Sequence, residues 1–164
     1  MDPATQDLPV RTIARQRPLF TQVEALPLVA PRVLLVDDCP VQLLLGCVLL
    51  ARWQIVPKLA HDGPEAVLLA REQDFDLLLM DVEMPVLDGL TATRRIRQNE
   101  KQAKRARRVP VIAYTANDGG LDEPTWRESG VDAVLGKPSP ELMMEQCLKR
   151  WCPDKFEVSR PSFR

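Results

Sequence analysis

A chain of 164 residues, 45% hydrophobic and 27% charged, is long enough to bury one real core and short for two. Its formal net charge of −1 excludes a global field that would draw it to nucleic acid or to an anionic membrane surface. Four cysteines without a CxxC pair, beside a single histidine, exclude a Cys/His zinc site and point to free thiols in a reducing cytosol.

Residues 1–31 carry prolines at positions 3, 9, 18, 27 and 31, a spacing that prevents a long helix. They read as an arm or linker with one short helix around Phe20 to Leu26. No compact apolar run sits behind a basic start, so a secretion signal is not expected. From Arg32 the pattern changes. "RVLLVDD" is a short apolar, β-branched run, a buried strand. "PVQLLLGCVLLAR" has helical length, with Pro40 where a first turn tolerates it. Its apolar core, Val41 to Ala51, is too short to cross a bilayer and contains Gln42.

"QIVPKLA" is a weaker strand, and Pro57 cannot donate to a ladder, which places it at a sheet edge. "DGPEAVLLAREQ" opens with the helix-start residues Asp62, Pro64 and Glu65. "DLLLMD" is the second strong strand, and it stops on a carboxylate. "GLTATRRIRQNEKQAKR" is a helix with Leu90, Thr93 and Ile96 on its apolar side. "VPVIAYTA" is a third buried strand, "DEPTWRESG" a short helix closing on Gly130, and "VDAVLGKP" a last strand. "SPELMMEQCLKRW" is a final amphipathic helix, with Ser139 as its expected cap and Pro140 at its first position.

The βα unit thus recurs five times over residues 32–151, followed by a tail at 152–164. Near-continuous apolar strands alternating with helices predict an α/β fold: a parallel sheet covered on both faces and, with right-handed crossovers, a doubly wound sandwich. In such sheets the ligand site lies beyond the carboxyl ends of the strands. The residues at those ends are Asp37, Asp38, Asp81, Thr115 and Lys137. Clustered carboxylates repel one another and favour a hard divalent cation such as Mg²⁺, which takes oxygen ligands and keeps several waters. With a lysine and a threonine hydroxyl added, the crevice suits a tetrahedral phosphoryl group, and a carboxylate there can form an aspartyl phosphate.

"VLLVDD", "DLLLMDVEMPVLDG", "VIAYTA" and "GKP", in that order over Arg32 to Arg150, resemble the landmarks of the receiver domain of bacterial two-component response regulators. The resemblance implies a flavodoxin-like (βα)5 sandwich with strand order 2-1-3-4-5. It implies that Asp81 is the phosphoacceptor, and that Asp38 holds Mg²⁺ directly and Asp37 largely through water. The backbone carbonyl of Glu83 would complete the protein's share of the metal ligands. Lys137 would pair with the phosphoryl group through a segment with a cis Lys137–Pro138 bond, and Thr115 would hydrogen-bond it and move, switching a protein-binding face. The implied partners are a histidine kinase or a histidine phosphotransfer protein, with neither nucleic acid nor membrane insertion, in the cytoplasm. One departure stands out: three positions before the lysine, where such domains often carry an aromatic residue that rotates with the threonine, this chain has Val134. Tyr114 adjoins Thr115 but points to the other side of its strand. Glu83 and Asn117 occupy the variable places flanking the site, which in this family tune dephosphorylation.

Other residues have plain readings. His61 and Cys39 are loop residues, and of Met143 and Met144 one is expected in the core. The run "KQAKRARR", Lys101 to Arg108, is most simply a solvated helix end and loop, with a docking patch for an acidic partner as the alternative. The expected function is therefore a phosphoacceptor module that catalyses only its own labelling and slow hydrolysis. With fourteen residues after Arg150, output is expected by binding or by passing the group onward, and the arm and the long segment from Gly89 to Val109 lean toward a hybrid-kinase receiver. Two alternatives stand beside it. A degenerate receiver would bind partners without phosphorylation. A metal-dependent aspartyl-phosphate phosphatase would need a second acid two residues past its nucleophile after the first strand, and a cap domain. A dinucleotide-binding domain is excluded, because the first strand leads into "DDCPVQ" rather than a Gly-rich loop.

Overall fold

The structure, a computed structural model, describes residues 30–120 and 122–156. The arm up to residue 29, with its expected helix at Phe20 to Leu26, and the residues from 157 onward lie outside the described residues. Five parallel strands, β1 (Val33–Val36), β2 (Lys58–Ala60), β3 (Leu77–Met80), β4 (Val111–Thr115) and β5 (Ala133–Gly136), form one sheet in the order 2-1-3-4-5. The helices are α1 (Pro40–Ala51), α2 (Gly63–Glu72), α3 (Gly89–Gln102), α4 (Glu123–Ser129), α5 (Glu141–Trp151) and α6 (Pro153–Phe156).

Strand alternation splits the core in two. Val33, Leu35, Leu77, Leu79, Ile112 and Tyr114 face one side, where Leu43 and Leu50 of α1 and Met144 and Leu148 of α5 cover them. Leu34, Val36, Leu78, Met80, Val111 and Ala113 face the other, covered by Ala66 and Ala70 of α2 and by Leu90, Ala92 and Ile96 of α3. Every residue of β1, β3 and β4 is buried, as strands sandwiched between helices must be. β2 is short, lies at the edge, and begins one residue after Pro57, so the missing N–H falls outside the ladder.

Local chemistry sets the helix starts. Asp62, Asp88 and Asp122 each accept a hydrogen bond from the backbone N–H three residues on, at 2.7, 2.8 and 3.2 Å. Each such cap stabilises its helix by about 1 kcal/mol. Gly130 closes α4 at φ 89°, the left-handed conformation a glycine adopts without strain. α5 corrects the sequence expectation: its cap is Pro140 rather than Ser139. The Pro140 carbonyl accepts from Met143 and Met144 N–H at 3.0 and 3.2 Å, while the Ser139 side chain makes no capping bond. Met144 is buried and Met143 is 46% exposed, so one of the pair serves the core.

The packed body runs on through Phe156. α6 buries Phe156 completely, its ring centroid 6.1 Å from that of Trp53. Lys155 of the same helix pairs with the buried Asp76 at 2.8 Å, and the Cys152 thiol donates to the Asp76 carbonyl at 3.7 Å. Arg97, a buried residue of α3, is a second anchor. Its guanidinium donates to the Gly130 and Val109 carbonyls, to Glu100 and to Asp132, at 2.8–3.0 Å. Asp132 in turn accepts from the Val111 N–H, tying α3 to the entrances of β4 and β5.

Candidate functional site

Register explains why the acids meet. Val36 pairs with Met80 and Met80 with Ala113, so Asp37 and Asp81 leave adjacent strands at the same level. The ladder runs one step further: Asp37 N–H donates to the Ala60 carbonyl and Asp81 N–H to the Val36 carbonyl, at 3.1 and 3.0 Å. On the other flank Thr115 pairs with Gly136, and the Lys137 N–H donates to the Thr115 carbonyl at 2.9 Å. The carboxyl ends of four strands therefore bring the polar residues read from the sequence to the same end of the sheet.

Within it, the carboxylates of Asp37, Asp38 and Asp81 offer oxygen atoms that lie within 4.8 Å of one another. Asp37 and Asp81 are buried and Asp38 is exposed, so the group opens to solvent through Asp38. The Lys137 side chain is 4% exposed; its ammonium pairs with Asp37 and stands 3.2 Å from Asp81 Oδ1. The all-oxygen set of three carboxylates is a hard-ligand site, the donor chemistry that suits Mg²⁺ or a similar cation, and the ammonium beside it supplies a fixed positive charge for an anionic group. Asp37 also accepts from the Cys39 N–H, and Asp81 from the Val82 N–H, both at 2.9 Å, which holds each carboxylate over its own turn.

The electrostatics single out Asp81. Burial pushes its carboxyl above the ordinary aspartate range, and the neighbouring Asp37 adds to that, while the Lys137 ammonium pulls the other way. The charged form is held at a cost, which binding of a cation or an electrophilic phosphorus would relieve.

Thr115 is buried, and its hydroxyl accepts the Asn117 N–H at 3.3 Å. The Glu83 carboxylate is not among the three clustered acids; it is exposed and accepts from the Asn117 side chain at 3.2 Å. That bond spans the mouth of the crevice between the β3–α3 and β4–α4 loops. Val134 lies half-buried on the side of α2 and α3. Tyr114 faces the α1 and α5 side, opposite to it, and its ring centroid lies 5.1 Å from the Lys137 ammonium. This cation–π contact places an aromatic floor under the lysine. Sequence reading saw which way Tyr114 points and missed this contact, because the two residues meet only through the β4–β5 pairing.

Gly89 shapes the loop after Asp81. Its N–H donates to the Val82 carbonyl at 3.0 Å, and a Cβ there would lie 1.9 Å from the Asp81 carbonyl oxygen. Only glycine lets the first turn of α3 pack so tightly behind the acid.

Comparison with known proteins shows which family the chain is similar to. Residues 33–149 match the response regulator receiver domain model. The sensor protein GacS of Pseudomonas syringae pv. syringae is 38% identical over 122 residues, 74% of this chain and 13% of that protein. The chain thus spans a small part of the length of the curated relatives it matches. The receiver domain of the sensor histidine kinase PA1611 from Pseudomonas aeruginosa PAO1, solved with magnesium in its active-site cleft, superposes with a TM-score of 0.66 at 36% identity, covering 75% of this chain and 98% of that one. The receiver domain of Ssk1 from Saccharomyces cerevisiae, solved with the histidine phosphotransfer protein Ypd1, also gives 0.66, at 33% identity, covering 78% of this chain and 94% of that one. Acids aligned by register at the ends of β1 and β3, a lysine beyond β5 and the matching model lead to one assignment: this chain belongs to the response regulator receiver domain family, the modules of two-component and phosphorelay signalling.

Proposed function

We propose that this receiver takes a phosphoryl group from a phosphohistidine of a partner kinase or phosphotransfer protein onto the Asp81 carboxylate. The observation that carries the reading is the state of Asp81. It is a buried carboxylate beside two further acids, with a lysine ammonium 3.2 Å away. A carboxylate oxygen of Asp81 attacks phosphorus, the phosphorus–nitrogen bond breaks, and the freed imidazole takes a proton from solvent. Lys137 leaves part of its pairing with Asp37 to meet the incoming phosphoryl oxygens, and the Thr115 hydroxyl donates to one of them. Asp37 and Asp38, with Asp81 and the backbone carbonyl of Glu83, would hold Mg²⁺, which would supply charge neutralisation for the transferring group. The magnesium in the PA1611 receiver supports this part.

The face of α1 supports the partner class. Val41, Leu44, Leu45 and Val48 are all more than half exposed and recur at i, i+3, i+4 and i+7, an apolar stripe on the helix that starts beside Asp37 and Asp38. A histidine-bearing helix packed on that stripe would bring its imidazole over Asp81. The Ssk1 receiver's complex with a phosphotransfer protein and the similarity to a sensor kinase favour a hybrid-kinase or relay setting. Among the described residues no helix is long and apolar enough to cross a membrane. Phosphorylation then shifts the protein-binding face around Thr115. Val134 in place of an aromatic residue favours a second reading, a receiver that binds partners without phosphorylation.

Intact-protein mass spectrometry after incubation with acetyl phosphate separates the two. A single phosphate adduct that requires Mg²⁺ and is absent from Asp81→Asn is the expected result. A folded protein that gains no adduct and also fails to bind a beryllium fluoride phosphoryl mimic overturns the proposal in favour of the binding module.

A further inference from the structure

Away from the crevice, a cleft of about 580 Å³ opens between α3, the loop that follows it and the end of α4. Arg94, Arg97 and Lys101 line it from α3 at i, i+3 and i+7, one face of that helix, and Arg105 and Arg108 approach from the loop. Five basic side chains therefore face the cleft against two acidic ones, Glu100 and Glu128, in a chain whose net charge is −1.

The basic groups are unequally committed. Arg97 is neutralised by Glu100 and Asp132, and Arg108 shares Asp132 at 3.1 Å. Arg105 reaches Asp74 only at 3.4 Å and donates to the Arg71 carbonyl. Arg94 bonds a hydroxyl, that of Thr91, at 3.3 Å; its charge acts on Asp88, but the two form no close ion pair. The Lys101 ammonium has neither a hydrogen bond nor an ion pair among the described residues, though its backbone carbonyl accepts from Lys104 N–H at 3.2 Å. The cleft thus holds one four-bonded guanidinium, that of Arg97, and two exposed cations, Arg94 and Lys101, without a close ion pair.

We propose that this cleft binds a compact phosphorylated small molecule bearing more than one phosphate, of nucleoside di- or triphosphate size. Its volume lies within the roughly 300–1,000 Å³ of small-ligand sites and far exceeds what a single phosphate fills. Guanidinium forks match phosphate oxygens in pairs, and an ammonium adds a point charge. The guanidinium planes of Arg105 and Arg108 offer faces on which a base can stack. Arg97 is already held in place, so little ordering is needed at the back of the site. An extended acidic peptide would instead call for a linear groove, whereas the basic groups of α3 and of the loop after it converge on a concavity closed by the end of α4.

The test is calorimetric titration of the full chain in chelator, so that no divalent cation draws phosphates to Asp81. The probes are ATP, inorganic pyrophosphate and a hexaglutamate peptide. The expected result is saturable binding of ATP and weaker binding of pyrophosphate. Arg94→Glu/Lys101→Glu should weaken ATP binding by about tenfold or more, the scale of lost charge-assisted contacts. Asp81→Asn should leave it unchanged. Both altered rim residues are exposed, and circular dichroism, with Arg94→Gln/Lys101→Gln as a milder pair, verifies the fold. Absence of saturable binding up to about 1 mM, the weak end of specific recognition, overturns the proposal. So does binding indifferent to both double variants, or hexaglutamate binding as tightly as ATP.

Discussion

Phe156→Ala tests whether α6 belongs to the folded body. The ring is fully buried and packs at 53° against Trp53, more than a hundred residues earlier. Removing a buried phenylalanine forfeits about 2–3 kcal/mol of transfer free energy, and the aromatic pair adds about 1 kcal/mol. A cavity term raises core Phe→Ala losses to about 3–5 kcal/mol. Because α6 is short and can relax into the space, the low end applies, about 3 kcal/mol. For a chain of this length that lowers the melting temperature by about 6–12 °C. Urea unfolding followed by tryptophan fluorescence reads it directly, since Trp53 is the neighbour that changes surroundings. Phe156→Leu, which refills most of the volume, should lose only about 1 kcal/mol. A loss below about 1 kcal/mol for Phe156→Ala, with an unchanged denaturant slope, would mean that α6 is not docked in solution and would refute the reasoning.

Asp81→Asn should raise the unfolding free energy at pH 7.5 in chelator, by up to about 1 kcal/mol after allowing for water at the crevice mouth, with a higher melting temperature as the readout. Burial raises the Asp81 pKa, so its favourable contribution is present below the unfolded value and is lost as pH rises through the folded one. The gain should therefore shrink toward pH 4, and a variant less stable than the parent at pH 7.5 would contradict this. Asp76 behaves oppositely: burial pushes its carboxyl up, but Lys155 and Arg32 bring it below the ordinary value overall. Its contribution is present above the unfolded pKa and lost as pH falls through the folded one, so Asp76→Asn should lose about 2 kcal/mol at pH 7 and less near pH 3. Urea curves showing an equal loss at both pH values would exclude the ion pair as the cause. Val86, 90% exposed in the loop behind Asp81, sits at φ 70°, a conformation that strains a β-branched side chain. Val86→Gly should stabilise by about 0.5–1 kcal/mol, strain relief outweighing the added freedom of the unfolded chain; thermal melts showing destabilisation would count against the strain.

The architecture was legible because each strand is a bare apolar run stopped by a polar residue. Val36–Asp37, Met80–Asp81 and Gly136–Lys137 mark both where a strand ends and what the crevice contains. Pro57 revealed the sheet edge by what it cannot donate. What stayed hidden depends on contacts distant in sequence. Arg97 reads as one more charge on an amphipathic helix, yet it is buried, because its four partners come from α3, the entrance of β4 and the turn into β5. The run Lys101 to Arg108 reads as a solvated end, yet Arg105, Arg107 and Arg108 each meet an aspartate elsewhere in the fold. A four-residue α6 has no periodicity to detect, and its phenylalanine declares itself only by meeting Trp53. Ser139 failed as a cap for a local reason, since Pro140 already supplies the carbonyl that opens α5.

The edge strand β2 also bears on how such a module can be crowded. A sheet edge is an open template for a neighbouring chain, and relay proteins work by bringing domains into repeated close encounter. Here the exposed border is three residues long, preceded by a proline and begun by an exposed lysine, Lys58. A second copy pairing along β2 would find few free donors and would have to bury an ammonium. On this side of the sheet, therefore, close encounter between modules carries little risk of strand-to-strand polymerisation; the other edge is β5.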